Sequence, residues 1–136
     1  MIKTMSHVTL FVSNQEDAKS FYVDKLGFKV HTDATMENGF RWLTVMAPEQ
    51  PDLEIVLMEP KAGPMFDEES AAAVRMLMKK GLLGAGAFRV DDCRKTYEEL
   101  KKKGVQFKGA PQEQFYGIEA IMSDGLGNWF SMTEPK

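Results

Sequence analysis

The hydrophobic and polar residues of this chain form the same order of strand-like and helix-like patterns twice. In the first half, HVTLFV (7–12) is rich in β-branched and aromatic residues and predicts a strand. Ser13 and Glu16 match a capping box, so a helix is expected to begin there. Its buried stripe has the i, i+3, i+4, i+8 spacing: Ala18, Phe21, Tyr22 and Leu26. Three strand-like runs follow: FKVHTDA (28–34), GFRWLTVMA (39–47) and DLEIVLMEP (52–60).

The second half repeats that order. GAGAFRV (84–90) predicts a strand, and the next segment predicts a helix that turns Cys93, Tyr97 and Leu100 inward. Three more strands are predicted: VQFKGA (105–110), YGIEAIMSD (116–124) and NWFSMTEP (128–135). The repeat predicts one domain over 1–136, made of a first module (1–60), a connector with a helix (61–83) and a second module (84–136). Neither module alone covers its sheet, so we expect them to share a core.

Composition excludes several classes of protein. The net charge is −3 and no basic stripe is present, so no nucleic-acid partner is expected. No long apolar run could span a membrane, and a cytoplasmic protein is predicted. The one cysteine, Cys93, rules out an intrachain disulfide and any cysteine-cluster metal site. Because Cys93 lies on the apolar stripe of its helix, we expect it to be buried rather than reactive.

Three motifs in register with the repeat identify a family resemblance. They are FYVDKLGF (21–28), VDDCRKTYEELKKKGV (90–105) and SDGLGN (123–128). With them the chain resembles the vicinal oxygen chelate superfamily of glyoxalases, bleomycin-resistance proteins and extradiol dioxygenases. The resemblance implies an α+β fold in which two βαβββ modules form a cupped open barrel. It also implies helices outside the barrel, a small-molecule cavity inside it and a homodimer.

In such a barrel, alternate side chains of each strand face the cavity. The residues predicted on this face are His7, Thr9, Phe11, Trp42, Thr44, Met46, Glu54, Val56, Met58, Ala85, Ala87, Arg89, Glu119, Ile121, Trp129, Ser131 and Thr133. Rings that line an apolar space can stack on a flat ligand, and a few polar groups orient it. The predicted ligand-binding residues are therefore Phe11, Trp42, Glu54, Arg89, Tyr116, Trp129 and Ser131. We expect Arg89 either to pair with Glu119 or to hold an anionic group of the ligand.

Catalytic members of the resembled family hold a divalent metal with His and Glu on four strands. The matching positions here are His7, Val56, Ala85 and Ser131, of which only His7 is a usual ligand. We therefore predict no cofactor. The alternative is a divalent Zn, Ni, Fe or Mn ion held by His7, Glu54 and Glu119.

Two functions remain open on the sequence, and a third interpretation is a purely structural dimerisation module. The first is binding of a small, flat, partly aromatic molecule in an apolar cavity, as in the bleomycin-resistance relatives. The second is a metal-dependent lyase, isomerase or dioxygenase that acts on vicinal oxygens and uses His7 with acidic neighbours, or a metal-free variant in which His7 or Glu119 moves a proton. His31 has no cluster around it in the sequence and is predicted to be an isolated surface residue.

Overall fold

Two β-sheets and three helices make up the fold in a computed structural model that describes residues 1–136. The chain divides into two compact units, Met1–Arg75 and Met76–Lys136. The first unit contains β1 (His7–Phe11), α1 (Gln15–Lys19) with its π-helical continuation Ser20–Lys25, β2 (Lys29–Thr35), β3 (Arg41–Met46) and β4 (Glu54–Met58). Helix α2 (Glu68–Lys79) contains the boundary. The second unit contains β5 (Leu83–Arg89), α3 (Cys93–Lys102), β6 (Gln106–Phe107), β7 (Gln112–Gln114), β8 (Gly117–Ser123) and β9 (Asn128–Pro135).

Strand order confirms the predicted repeat. The first sheet has the order β1-β4-β3-β2, with β1 and β4 parallel. The second has the corresponding order β5-β9-β8-β6, with β5 and β9 parallel. In each unit the first strand therefore pairs with the last strand of its own module. The α+β fold class is confirmed, and neither sheet closes on itself into a barrel.

The start of α1 differs from the predicted capping box by one residue. Asn14, not Ser13, has the extended backbone of an N-cap, and its side chain accepts a hydrogen bond from the Asp17 N–H at 2.9 Å. The N–H of Gln15, the first residue of α1, donates to the Glu59 carboxylate at 2.9 Å. A carboxylate from the end of the module thus accepts from a first-turn N–H that has no partner within the helix.

The run predicted as one strand over 105–110 is interrupted. β6 covers only two residues, and the extra strand β7 pairs with the same edge of β8. Between them lies GAP (109–111), where Pro111 has no N–H to donate to the ladder. The break therefore falls where the sequence cannot continue the pairing.

Each sheet buries one face against its helices. In the second unit Cys93 and Tyr97 of α3 pack with Ala120 of β8 and Met132 of β9. Burial alternates along β9 as predicted: Phe130 is buried, whereas Trp129 is 39% exposed. The side of each sheet away from its helix is called its open face below. No helix is both long enough and apolar enough to span a membrane.

Candidate functional site

The open face of the second sheet consists of cross-strand rows. One row joins Arg89, Thr133 and Glu119, and the next joins Ala87, Ser131 and Ile121. Trp129 stands in the row beyond, between Gly84 and Ser123. The structure thus brings together most of the residues that the alternation predicted for this sheet. Their order runs from an aromatic end at Trp129 to a polar end at Thr133.

An irregularity in β5 changes the predicted neighbour of Trp129. The register shifts between Gly84 and Gly86, which leaves Ala85 without a partner on β9. Gly84, rather than Ala85, therefore stands beside Trp129. Period-2 reasoning missed this because a bulge adds one residue to a single strand and changes the face of those that precede it.

Glycine at position 84 allows the Trp129 indole to pack against the backbone of β5. A Cβ at this position would lie 2.5–3.0 Å from three ring atoms of Trp129, closer than carbon atoms can approach. The indole therefore lies directly against the bare backbone of β5. Since the side chain keeps 39% of its exposure, part of the ring remains available to solvent.

A pocket of about 400 Å³ opens at the polar end of this face. It is lined by Ala87, Phe88, Arg89, Tyr116, Glu119, Ser131, Thr133 and Pro135. Its volume is within the range of pockets that hold small molecules. The predicted site residues Arg89, Tyr116, Glu119 and Ser131 all contribute to it.

Glu119 is held by hydroxyl groups in this pocket. One carboxylate oxygen accepts from Tyr116 Oη at 2.5 Å and the other accepts from Ser131 Oγ at 2.5 Å. Ser131 Oγ also lies 2.7 Å from Thr133 Oγ1. The hydrogen bond to Glu119 raises the pKa of the Tyr116 phenol, because it stabilises the protonated form and because a carboxylate opposes a second negative charge.

The predicted pairing of Arg89 with Glu119 is wrong. Both residues are neighbours of Thr133, but they lie on opposite sides of it, in β5 and β8. No ion pair joins them, and the Glu119 carboxylate is hydrogen-bonded to Tyr116 and Ser131 instead. Arg89 is exposed and makes no ion pair or hydrogen bond in the structure, so its guanidinium lies free at the wall of the pocket.

The open face of the first sheet carries a second polar cluster. One carboxylate oxygen of Glu54 lies 3.0 Å from His7 Nε2. The other lies 2.9 Å from His31 Nδ1 and accepts a hydrogen bond from Thr44 Oγ1 at 2.9 Å. His31 is exposed, as predicted, but the expectation that no cluster surrounds it is wrong. β2 has an irregular register between Val30 and Thr32, and this extra residue in the strand is His31.

The predicted aromatic residues of the first sheet have different surroundings. The Trp42 ring is partly exposed and lies 6.2 Å from the His7 ring and 6.5 Å from Phe40, measured between centroids. Phe11 instead makes an edge contact with Phe66 at 5.4 Å. Trp42 therefore belongs to the same surface as the Glu54 cluster, whereas one side of Phe11 is used in packing.

The donor set does not fit the metal site of the resembled family. Val56 and Ala85 have no ligand atom, and the Ser131 hydroxyl is hydrogen-bonded to Glu119. The alternative ligands are divided, with His7 and Glu54 in the first unit and Glu119 in the second. No three His, Cys, Asp or Glu side chains are arranged to hold one ion. We derive no chemical step through a metal.

Comparisons with known proteins agree with the fold and the repeat. The sequence model of the Glyoxalase/Bleomycin resistance protein/Dioxygenase superfamily matches residues 4–132. YurT of Bacillus subtilis (strain 168), an uncharacterized protein, is 33% identical over 126 residues, which are 93% of this chain and 94% of YurT.

Two solved structures are similar over nearly their whole length. UcmS2 has a TM-score of 0.91 and 42% sequence identity, over 98% of this chain and 99% of its own. TnmS3, an antibiotic binding protein from Streptomyces sp. CB03234, has a TM-score of 0.75 and 30% identity, over 99% of this chain and 98% of its own. With the family match and the repeated βαβββ topology, these likenesses establish that the chain belongs to the glyoxalase/bleomycin resistance protein/dioxygenase superfamily.

Proposed function

We propose that this protein binds a small, flat, partly aromatic molecule on the open face of its second sheet, without a metal. The observation that carries the proposal is the free guanidinium of Arg89 in the same pocketed face as the exposed indole of Trp129. Trp129 and Thr133 are four residues apart on β9, which is about 13 Å at the usual rise of a strand. A ligand with two or three fused rings and one polar end spans that length.

The aromatic end supports stacking. The Trp129 indole is fixed from below by the backbone at Gly84, so it loses little freedom when a ligand covers its exposed part. Pairs of aromatic rings contribute about 0.5–1.5 kcal/mol beyond the area that they bury. A pre-positioned ring keeps most of that gain as affinity.

The polar end favours an acidic group on the ligand. Arg89 presents N–H donors without a partner, whereas the Glu119 charge is already compensated by two hydroxyl donors. A carboxylate near Arg89 therefore gains charge-assisted hydrogen bonds, with Glu119 two strands away. Thr133, between the two, can donate or accept.

Family relationships support binding rather than turnover. TnmS3 is described as an antibiotic binding protein, and it matches this chain over almost its whole length. Sequestration of a toxic molecule breaks no bond, so it does not require the ligand atoms that are missing at Val56 and Ala85. Both ring nitrogens of His7, the predicted catalytic base, already have hydrogen-bond partners.

Calorimetric titration with 2-naphthoate and its neutral analogue 2-naphthamide tests the proposal. Arg89→Gln is expected to weaken naphthoate about tenfold, the effect of one charge-assisted hydrogen bond, and to leave naphthamide nearly unchanged. Trp129→Leu is expected to weaken both. Arg94→Gln is the matched control, because Arg94 pairs with Glu113 and does not line the pocket. Equal naphthoate affinity in the Arg89 and Arg94 variants, or no binding to the parent protein, would contradict the proposal.

A further inference from the structure

Both histidines of the chain contact one carboxylate, and they do so through different ring nitrogens. His7 presents Nε2 to Glu54 at 3.0 Å, whereas His31 presents Nδ1 to it at 2.9 Å. His31 Nδ1 also lies 2.9 Å from Thr32 Oγ1, a hydroxyl oxygen that can accept from the same N–H. An ionised carboxylate can only accept hydrogen bonds, so the nitrogen that faces it must carry the hydrogen. The neutral rings are therefore held in opposite tautomers, His7 with hydrogen on Nε2 and His31 with hydrogen on Nδ1.

The second nitrogen of each ring has a different environment. His7 Nδ1 lies 2.9 Å from Ser6 Oγ and accepts from that hydroxyl. His31 Nε2 has no partner in the structure, and the His31 side chain is 47% exposed. Since the chain has two histidines, His31 Nε2 is its one imidazole lone pair that remains free.

We propose that His31 Nε2 is the acceptor of a second binding site, on the open face of the first sheet, for a flat molecule with a phenolic or enolic hydroxyl. Glu54 on Nδ1 holds the tautomer in which Nε2 has the free lone pair, so the hydroxyl of the ligand can donate a hydrogen bond to Nε2. Glu54 is thus a positioning residue, and His31 touches the ligand.

The surroundings select this class of ligand. The Glu54 carboxylate repels carboxylates and phosphates, whereas a neutral hydroxyl that donates to nitrogen is compatible with it. Trp42, whose ring is partly exposed and lies 6.2 Å from the His7 ring, provides an aromatic surface beside the cluster. This preference for a neutral donor is the opposite of the preference for an acidic group that Arg89 gives the second sheet.

Nuclear magnetic resonance of the imidazole nitrogens provides the first test, because only two rings contribute signals. We expect His31 in the form protonated on Nδ1 and His7 in the form protonated on Nε2. Glu54→Gln should mix the His31 tautomers, since an amide can donate as well as accept. A His31 ring protonated on Nε2 in the parent protein would overturn the proposal.

Titration with 2-naphthol and with its methyl ether, 2-methoxynaphthalene, provides the second test. Naphthol should shift the His31 Nε2 signal, and His31→Phe should weaken naphthol about five- to tenfold while leaving the ether unchanged, as expected for one hydrogen bond. Trp129→Leu should leave the His31 response intact, which separates this site from the one on the second sheet. Equal affinity for the two probes in the parent protein, or no response at His31, would overturn the proposal.

Discussion

Tyr116 and Glu119 form a hydrogen-bonded pair at the wall of the pocket, and this contact affects the titration of the Tyr116 phenol. Because the hydrogen bond to the Glu119 carboxylate raises the Tyr116 pKa, removal of that charge should lower the pKa toward its ordinary value. Glu119→Gln is therefore expected to shift the ultraviolet titration of one tyrosine to lower pH.

The assignment to Tyr116 can be checked by subtraction. Tyr22 is fully buried and Tyr97 is 9% exposed, so Tyr116 is the most exposed of the three tyrosines. The shift should be absent in a Tyr116→Phe background. A Glu119→Gln protein whose tyrosines titrate as in the parent would show that the contact does not persist in solution.

Side chains that follow the regular period of a strand could be placed from the sequence alone. Glu119, Ser131 and Trp129 lie on the open face as alternation predicts. Gly84 and His31 were misjudged because both lie at irregularities of register, which change the face of a residue without any change in the pattern of polarity. The environment of His31 therefore required the structure.

Cys93 shows the opposite case, in which one pattern was sufficient. Its place on the apolar stripe of α3 predicted burial, and it is fully buried. Burial, together with the nearby charge of Glu134, raises the pKa of the thiol. A buried thiol with a raised pKa is a poor nucleophile, which agrees with a structural role.

At the scale of elements, Asp33 of β2 joins the hairpin to the helix that precedes it. It accepts two hydrogen bonds from Arg41 of β3 at 2.8 Å and one from Lys19 of α1 at 2.9 Å. The hydrogen bonds from Arg41 hold the Asp33 pKa well below its usual range. Asp33→Asn is expected to lower the free energy of unfolding by about 1–2 kcal/mol at pH 7, as for a partly exposed charged network.

The pH dependence of that difference follows from the direction of the shift. A lowered folded-state pKa contributes stability above the unfolded value, about 3.9, and loses it as pH falls through the folded value. Urea unfolding of parent and Asp33→Asn proteins should therefore differ at neutral pH and converge only in strong acid. Asp52→Asn, at an exposed aspartate outside any ion pair, is the control. A difference that vanished near pH 5 would contradict the prediction.

The Trp129 ring of β9 approaches the backbone of β5 closely at one position, Gly84. Gly84→Ala should lift the Trp129 ring from the strand, because a methyl group would overlap three ring atoms. In a Trp42→Phe background, the emission of Trp129 is expected to move to longer wavelength as the indole enters water. Gly86→Ala is the matched control, since a Cβ there meets nothing within 4 Å. Equal emission spectra for the two variants would argue against the packing of Trp129 on Gly84.

Helix and strand boundaries could be predicted where the hydrophobic periodicity is strong. They were harder to predict where a capping side chain determines the end of a helix. The α1 start lies one residue later than predicted, where Asn14 is the N-cap and the Glu59 carboxylate, 44 residues along the chain from Gln15, accepts from the Gln15 N–H. The break between β6 and β7 could have been anticipated from Pro111. Long-range capping partners cannot be read from a local window.

At the scale of the whole molecule, the internal repeat is the feature of the sequence that best predicts the fold. One strand, one helix and three strands recur, and both sheets have the same internal order. The sequence therefore predicted the fold class and family, but fold alone does not select a ligand. The homodimer and the cytoplasmic location stay predictions.

Each unit contains one tryptophan, and the two indoles depend on contacts that are separated by different distances along the chain. Trp42 pairs with Ala34, eight residues away in a hairpin. Trp129 pairs with Ser123 in the β8–β9 hairpin, but its ring packs on Gly84, 45 residues away. Loop-closure entropy makes the longer connection about 1.5 kcal/mol more costly. In stopped-flow refolding of single-tryptophan proteins, Trp42 should therefore change before Trp129.

Identical rates for the two signals, in variants of matched stability, would contradict that order. If the order holds, the indole seated on Gly84 reports the last step in assembling the second sheet. The proposed ligand-binding face would then be complete only when the two most distant strands of its unit have met, so a nascent or partly unfolded chain would lack the proposed binding activity.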